Sequence, residues 1–262
     1  MKLAMLQFAP VFGEVQENLR SIEQACADLT ADLVVLPELC TTGYQFRDRG
    51  ELLQLAEPAG GPALKKLCEV AGACGGHLVA GFAEKEGDRV YNSAALVGPD
   101  GVSGIYRKVH LFSEEKRLFE PGDAGFLVLR ARGVPVGMMV CFDWIFPESA
   151  RSLALGGAEV IAHCANLVLP FCQDALITRA LENRVFIASC NRTGTEERIE
   201  GQKYEFTGRS RIVGPDGTVL AEGPPDAPAV ITVEIDPRRA ADKKLTPLND
   251  VLRDRRNDQY RL

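Results

Sequence analysis

The sequence is poor in the side chain most often used to activate a nucleophile: its 262 residues include three histidines, at 77, 110 and 163. None forms an H-x-x-H or H-x-x-x-H pair, so the usual spacing for a helical metal site is missing. The eight cysteines, at 26, 40, 68, 74, 141, 164, 172 and 190, include no C-x-x-C pair. In a chain of this length they read as reduced thiols, mostly buried as small hydrophobes, rather than a disulfide or zinc framework. Basic charge is also short: 30 Lys and Arg against 36 Asp and Glu leave a formal charge of −6. Such a surface disfavours nucleic acid and anionic membranes as partners. No apolar run is long enough to span a bilayer. The opening MKLAMLQFAP places Gln7 and Pro10 where a signal peptide would need its apolar centre, so it reads as a first strand and the expected compartment is the cytoplasm. There is no low-complexity tract, short-period repeat or long linker.

What remains is an alternation of two periodicities. LAMLQFA and DLVVLPE read as strands, and between them Leu19, Ile22, Ala25, Cys26 and Leu29 recur at helical spacing. A second helix is expected from about Pro62 to Cys74, opened by proline and stopped by Gly75-Gly76. His77 then reads as loop. HLVAGFAE, VYNSAALVG and FLVLRARGVPVGMMVC are strand-like, and Pro147 to Leu155 is a helix ended by Gly156-Gly157. AEVIAHCAN continues as a strand, DALITRALENRVFIASC as a helix running into a strand, and SRIVGPDGTVLAEG as a hairpin. The turn GPDG occurs at 98–101 and again at 214–217, each time between apolar runs, which hints at two similarly built halves. The expectation is a single α/β domain over residues 1–262. Its last twenty or so residues are charged and sparsely apolar, a surface tail or an arm laid on a partner.

Chemistry concentrates where strands end. Cys141 closes VPVGMMVC and is followed by FDWIFPESAR, so backbone N–H groups and a helix dipole are expected to favour its thiolate. The amide of Phe142 would be the first oxyanion donor. A buried structural cysteine is the competing reading. Glu38 follows VVLP at another strand end, where ligands gather in open α/β sheets. Apolar surroundings there would raise its pKa and suit it to act as a base; a solvated loop carboxylate is the alternative. Lys108, in GIYRKVHLF, could be a fixed cation facing developing negative charge, or a surface lysine with a buried stem. A cysteine hydrolase relying on His110 or His163 stays open on these grounds.

Three stretches then coincide: LPE at 36–38, YRKVHLF at 106–112 and CFDWIFPESAR at 141–151. In this order they resemble the signature of the nitrilase superfamily, carbon–nitrogen hydrolases with a Glu–Lys–Cys triad. EKRLFEPGD at 115–123, AHCANLVLP at 162–170, RALENRVF at 179–186 and DRR at 254–256 extend the resemblance across the chain. It implies a four-layer αββα sandwich with pseudo-twofold halves, needing no cofactor or metal. By position, Cys141 resembles the nucleophile, Glu38 the general base, Lys108 the oxyanion-stabilising lysine and Glu115 the second glutamate that positions substrate and triad. The resemblance further implies a homodimer or higher oligomer, formed through the helices flanking the nucleophile turn and often crossed by a C-terminal arm. Trp144, Phe146, Asn166 and Phe171 follow the catalytic strands and are candidates for the acyl pocket; Trp144 and Phe146 could equally pack beneath the turn.

The electrophile is left to finer features. Dedicated nitrilases of this family usually carry Trp-Glu after the nucleophile, whereas this chain has Phe142-Asp143. That favours a small aliphatic amide as substrate over a nitrile or an N-carbamoyl compound. A catalytically silent interaction protein is disfavoured by the presence of Glu, Lys and Cys together.

Overall fold

The computed structural model of the chain describes residues 1–260. In chain order it begins β1 (Lys2–Gln7), α1 (Val15–Cys26), β2 (Leu33–Val35), α2 (Arg49–Leu55) and α3 (Pro62–Ala73). Next come β3 (His77–Glu86), β4 (Arg89–Gly98), β5 (Gly101–Arg107) and the single turn α4 (Glu115–Leu118). The second half holds β6 (Val128–Ala131), β7 (Val134–Val140), a 3₁₀ turn (Cys141–Ile145), α5 (Pro147–Leu155), β8 (Val160–Ala165), α6 (Cys172–Asn183) and β9 (Phe186–Asn191). A side hairpin, β10 (Thr195–Ile199) with β11 (Gln202–Glu205), precedes β12 (Arg211–Val213), β13 (Val219–Glu222) and β14 (Ala229–Glu234).

Two six-stranded sheets form, in the orders β14-β1-β2-β3-β4-β5 and β13-β12-β9-β8-β7-β6. Each is built on three parallel strands, β1-β2-β3 in one and β7-β8-β9 in the other. Beyond the third parallel strand each adds an antiparallel hairpin, β4-β5 or β12-β13. The two GPDG turns close these two hairpins, so they occupy matching places in the halves. The glycine ending each turn, Gly101 or Gly217, has positive φ (117° and 81°), which an L side chain would strain.

Alternation of side chains assigns the layers. Leu3, Met5, Leu33, Val35 and Val79 point to the core shared with the second sheet. Their neighbours Ala4, Leu6, Val34, Leu78 and Ala80 pack with Leu19 and Ile22 of α1 and Leu64 and Leu67 of α3. On the other side Leu153 of α5 and Leu176 and Ala180 of α6 cover the second sheet. The stack is therefore helix, sheet, sheet, helix, with strands apolar on both faces.

Two local readings change. His77 is not loop but the first residue of β3, because its amide bonds to Asp32 O (3.1 Å) alongside β2. The helix runs from Pro147 to Leu155 as expected, but a 3₁₀ turn over Cys141–Ile145 precedes it, so the thiol is not in the first turn of α5 and that helix's dipole does not act on it from the adjacent residue. The segment after residue 242 forms a small hairpin, Lys244–Thr246 with Asn249–Asp250, anchored to its own subunit. Lys243 Nζ donates to the carbonyls of Asn183 (3.2 Å) and Arg184 (2.8 Å) at the end of α6. Residues 261 and 262 of the expected arm lie outside the described residues. No described helix is long and apolar enough to cross a membrane.

Candidate active site

After β2 the chain does not turn away but continues beside β3: Leu36 N bonds to Val79 O (2.8 Å) and Cys40 N to Gly81 O (2.9 Å). Pro37, which has no N–H, occupies a position where the ladder needs none from it. This carries Glu38 into the interior, where it is wholly buried. Its Oε1 accepts from Lys108 Nζ (2.7 Å) and from Asn92 Nδ2 (2.7 Å) on β4, while Oε2 has no hydrogen-bond partner.

Lys108 is the first residue past β5, its backbone pinned to β4 by Lys108 N to Asn92 O (2.8 Å). Its ammonium also donates to Glu115 Oε1 (2.8 Å). Glu115 is held in turn by Tyr44 OH (2.8 Å, to Oε1) and by the amide of Phe112 (3.1 Å, to Oε2). Burying a lone charge costs several kcal/mol, so this cluster is tolerable only because cation and carboxylates share bonds. Burial opposes the charge on Lys108, yet the carboxylates of Glu115 and Glu38 outweigh it and hold the ammonium above the ordinary lysine range. Burial pushes the Glu115 carboxyl up, with Lys108 pulling against it. Burial, then the charges of Glu115, Glu38 and Cys141, keeps Tyr44 a neutral hydroxyl donor.

Cys141 stands at the end of β7 with φ of 40°, a left-handed conformation rare for a non-glycine residue. Such a backbone turns the side chain out of the strand register toward the cluster. Its Sγ donates to Asn166 O (3.8 Å) at the end of β8. Burial pushes the thiol well above its usual range; the charges of Glu38 and Glu115 add to this and Lys108 opposes it. The resting group is a thiol, so a base must remove its proton. The amide of Phe142 belongs to the first turn of the 3₁₀ segment, where N–H groups lack intrahelical partners.

The histidines are committed elsewhere. His163 Nε2 meets the carbonyl oxygen of Cys141 (2.9 Å) and its Nδ1 meets Ser189 Oγ (2.8 Å). His110 Nδ1 meets Asp143 Oδ1 (2.9 Å), and His77 lies on β3 beside α3. Neither His110 nor His163 has a hydrogen bond to Sγ.

Beside Cys141 is a cleft of about 10 Å³, room for about one water molecule. Phe112, Phe142, Trp144, Asn166 and Leu167 to Leu169 wall it. Of the pocket candidates, Trp144 and Asn166 reach it. Phe146 does not: its ring stacks on His110 at 3.7 Å between centroids. Phe171 is 63% exposed at the head of α6 and also misses it. Both were placed by sequence proximity to a catalytic strand, but the 3₁₀ turn and the 166–169 loop direct them outward. Asn166 is buried, and neither side-chain atom has a partner. A second cavity of about 400 Å³ opens against Tyr44 and Glu115, with Phe46, Arg47, Glu114 and Tyr204 among its walls. Sequence reasoning missed Tyr44 and Asn92. Asn92, a polar residue inside the apolar VYNSAALVG, was the available signal.

This fold and its buried carboxylate–ammonium–thiol cluster mark a class of hydrolytic α/β sandwich. A solved amidase from Nesterenkonia sp. superposes on it with a TM-score of 0.83 at 29% identity, over 98% of this chain and 94% of that one. The sequence matches the family described as Carbon-nitrogen hydrolase over residues 2–244. It is 44% identical to a protein named nitrilase from Pyrococcus abyssi, over 99% of both chains. It is 36% identical to an (R)-stereoselective amidase from Pseudomonas sp, over 98% of this chain and 92% of that protein. The chain belongs to the carbon–nitrogen hydrolase family, the nitrilase superfamily, and is a hydrolase of carbon–nitrogen bonds.

Proposed function

We propose that the protein is an amidase that converts small aliphatic amides to carboxylate and ammonia through a thioester on Cys141. The observation that carries this reading is a small apolar cleft, lined in part by Asn166 with its unpartnered side-chain amide, set beside a thiol whose environment includes Lys108 and a free carboxylate oxygen of Glu38. At about 10 Å³ the cleft must widen to admit even a short acyl chain, which favours small substrates, and Asn166 offers a donor and an acceptor to a polar atom of the substrate.

In the proposed sequence Glu38 takes the thiol proton through Oε2 as Sγ forms a bond to the amide carbon. The charge that develops on the carbonyl oxygen is met by the Lys108 ammonium and the Phe142 amide. Collapse breaks the C–N bond, and the proton on Glu38 passes to the departing nitrogen, releasing ammonia. Glu38 then takes a proton from water as the water oxygen attacks the thioester. The carboxylic acid leaves, losing its own proton to solvent as the carboxylate, and the thiol is restored with the proton from Glu38. Glu115 and Tyr44 fix the ammonium and touch no reacting atom in this scheme.

Nitrile hydrolysis is the second reading, favoured by the similarity to the Pyrococcus protein named nitrilase. The test is ammonia release from a panel of small amides, N-carbamoyl compounds and nitriles. Short amides should give the highest kcat/KM, and a nitrile outrunning them would overturn the amide assignment. Replacing Lys108 with Met should cost roughly 10²–10³ in kcat, the loss typical of an oxyanion donor. Full activity in Glu38→Gln would remove the proposed base.

A further inference from the structure

Asp143 lies two residues beyond Cys141, wholly buried, and is not among the residues that wall the cleft. Its carboxylate is turned to the back of the nucleophile turn and accepts on both oxygens. Oδ2 takes the amide of Val140 (2.9 Å) and the hydroxyl of Tyr106 (2.7 Å). Oδ1 takes the amide of His110 (3.2 Å) and faces His110 Nδ1 (2.9 Å). Tyr106 OH in turn accepts from the amide of Val109 (3.3 Å). One side chain thus grips the residue before Cys141 and, directly or through Tyr106, the two residues after Lys108. Those segments belong to different sheets, and the thiol and the ammonium they carry must face the same carbonyl group, one at its carbon and the other at its oxygen.

We infer that Asp143 is a positioning residue that fixes the distance between the Cys141 thiol and the Lys108 ammonium, without touching substrate. This rests on the reading of Cys141 and Lys108 as reacting partners. It also relocates the difference from enzymes with glutamate at this position. An extra methylene here would act by shifting the turn, not by altering the pocket wall.

Each oxygen faces two donors, so an amide at 143 would turn its NH₂ toward one of these pairs whichever way it flipped. Asp143→Asn therefore opens the grip on one side while keeping size. The experiment follows alkylation of Cys141 by iodoacetamide, read by mass spectrometry of its peptide, together with kcat, KM and thermal melting. In Asp143→Asn the alkylation rate and kcat should each fall roughly tenfold to a hundredfold, with KM within about twofold, as expected for ångström-scale misplacement. Tyr106→Phe, which removes one donor, should move both rates in the same direction by less. An unchanged alkylation rate in folded Asp143→Asn, or a lowered melting temperature alone, would overturn the inference. If Asp143→Asn does not fold, unchanged rates in Tyr106→Phe overturn it. Absence of any turnover by wild-type protein would count against the amidase reading alone, since alkylation still decides the role of Asp143.

Discussion

His163 illustrates how a residue can sit against a nucleophile and still not be its base. Its Nε2–H donates to the Cys141 carbonyl oxygen, the only role open to it there, so Nδ1 accepts from Ser189 Oγ. Burial lowers its pKa and keeps the ring neutral. A histidine depressed in the folded state binds fewer protons than in the unfolded chain, so stability falls as pH drops below the unfolded value of about 6.5. The raised Glu115 carboxyl has the opposite slope, but it is common to wild type and variant and cancels in the comparison. His163→Gln should flatten the difference in melting temperature between pH 6.5 and more acid conditions. The wild-type term reaches at most about 1.4 kcal/mol per pH unit, and a profile parallel to wild type would refute it. At this scale Glu38 and Lys108 were legible from strand ends and Glu115 from the family resemblance alone; the three are found hydrogen-bonded together. Tyr44 and Asn92 were not: Tyr44 stands in the irregular TTGYQF segment, and Asn92 is a single polar residue within an apolar strand.

Among elements, the crossing of the Glu38 segment over β3 makes the cluster possible, and Gly81 permits it. A Cβ on Gly81 would lie 2.5 Å from Glu38 Cα and 2.6 Å from Leu39 N, so backbone would have to move. Gly81→Ala should lower stability by about 1–3 kcal/mol, as overpacking does, and reduce kcat more than Glu38-distant core changes of equal cost. Denaturant unfolding and ammonia release measure the two effects; a stable, fully active variant would contradict the tight crossing. The same segment is held from the far side. Glu196 on β10 accepts from the amides of Tyr44 (3.2 Å) and Gln45 (2.6 Å), with Arg192 paired to its carboxylate. Periodicity located most of the parallel strands and the helices but not this hairpin, whose exposed, charged residues carry no alternating apolar signal.

For the whole molecule, the repeated GPDG turn was the one visible trace of the two-part build. It maps to equivalent hairpins because each half needs the same tight reversal beyond its third parallel strand. Helical layers leave apolar side chains outside: Leu155 on α5, Leu181 on α6, Phe171 ahead of it, and Leu245 and Leu248 on the terminal hairpin, the last 91% exposed. We propose that these are covered by a second copy of the chain, as the family resemblance implied. Light scattering at micromolar concentration should give twice the 28.5 kDa chain mass or a multiple of it. A stable monomer would exclude the proposal. The sequence suggested the arm but not its anchorage, since the carbonyls that hold Lys243 belong to a helix sixty residues earlier.

Lys108 between Glu38 and Glu115 has one further consequence. With both carboxylates ionised the trio carries a formal charge of −1 while Cys141 is a neutral thiol. Moving the sulfur's proton to Glu38 takes the trio to zero and the sulfur to −1, so the total over trio, sulfur and bound substrate stays at −1, as it does through every later transfer in the proposed cycle until the acid product departs. The catalytic centre would then arm and reset itself by internal accounting of protons, drawing none from the surrounding water to create its thiolate.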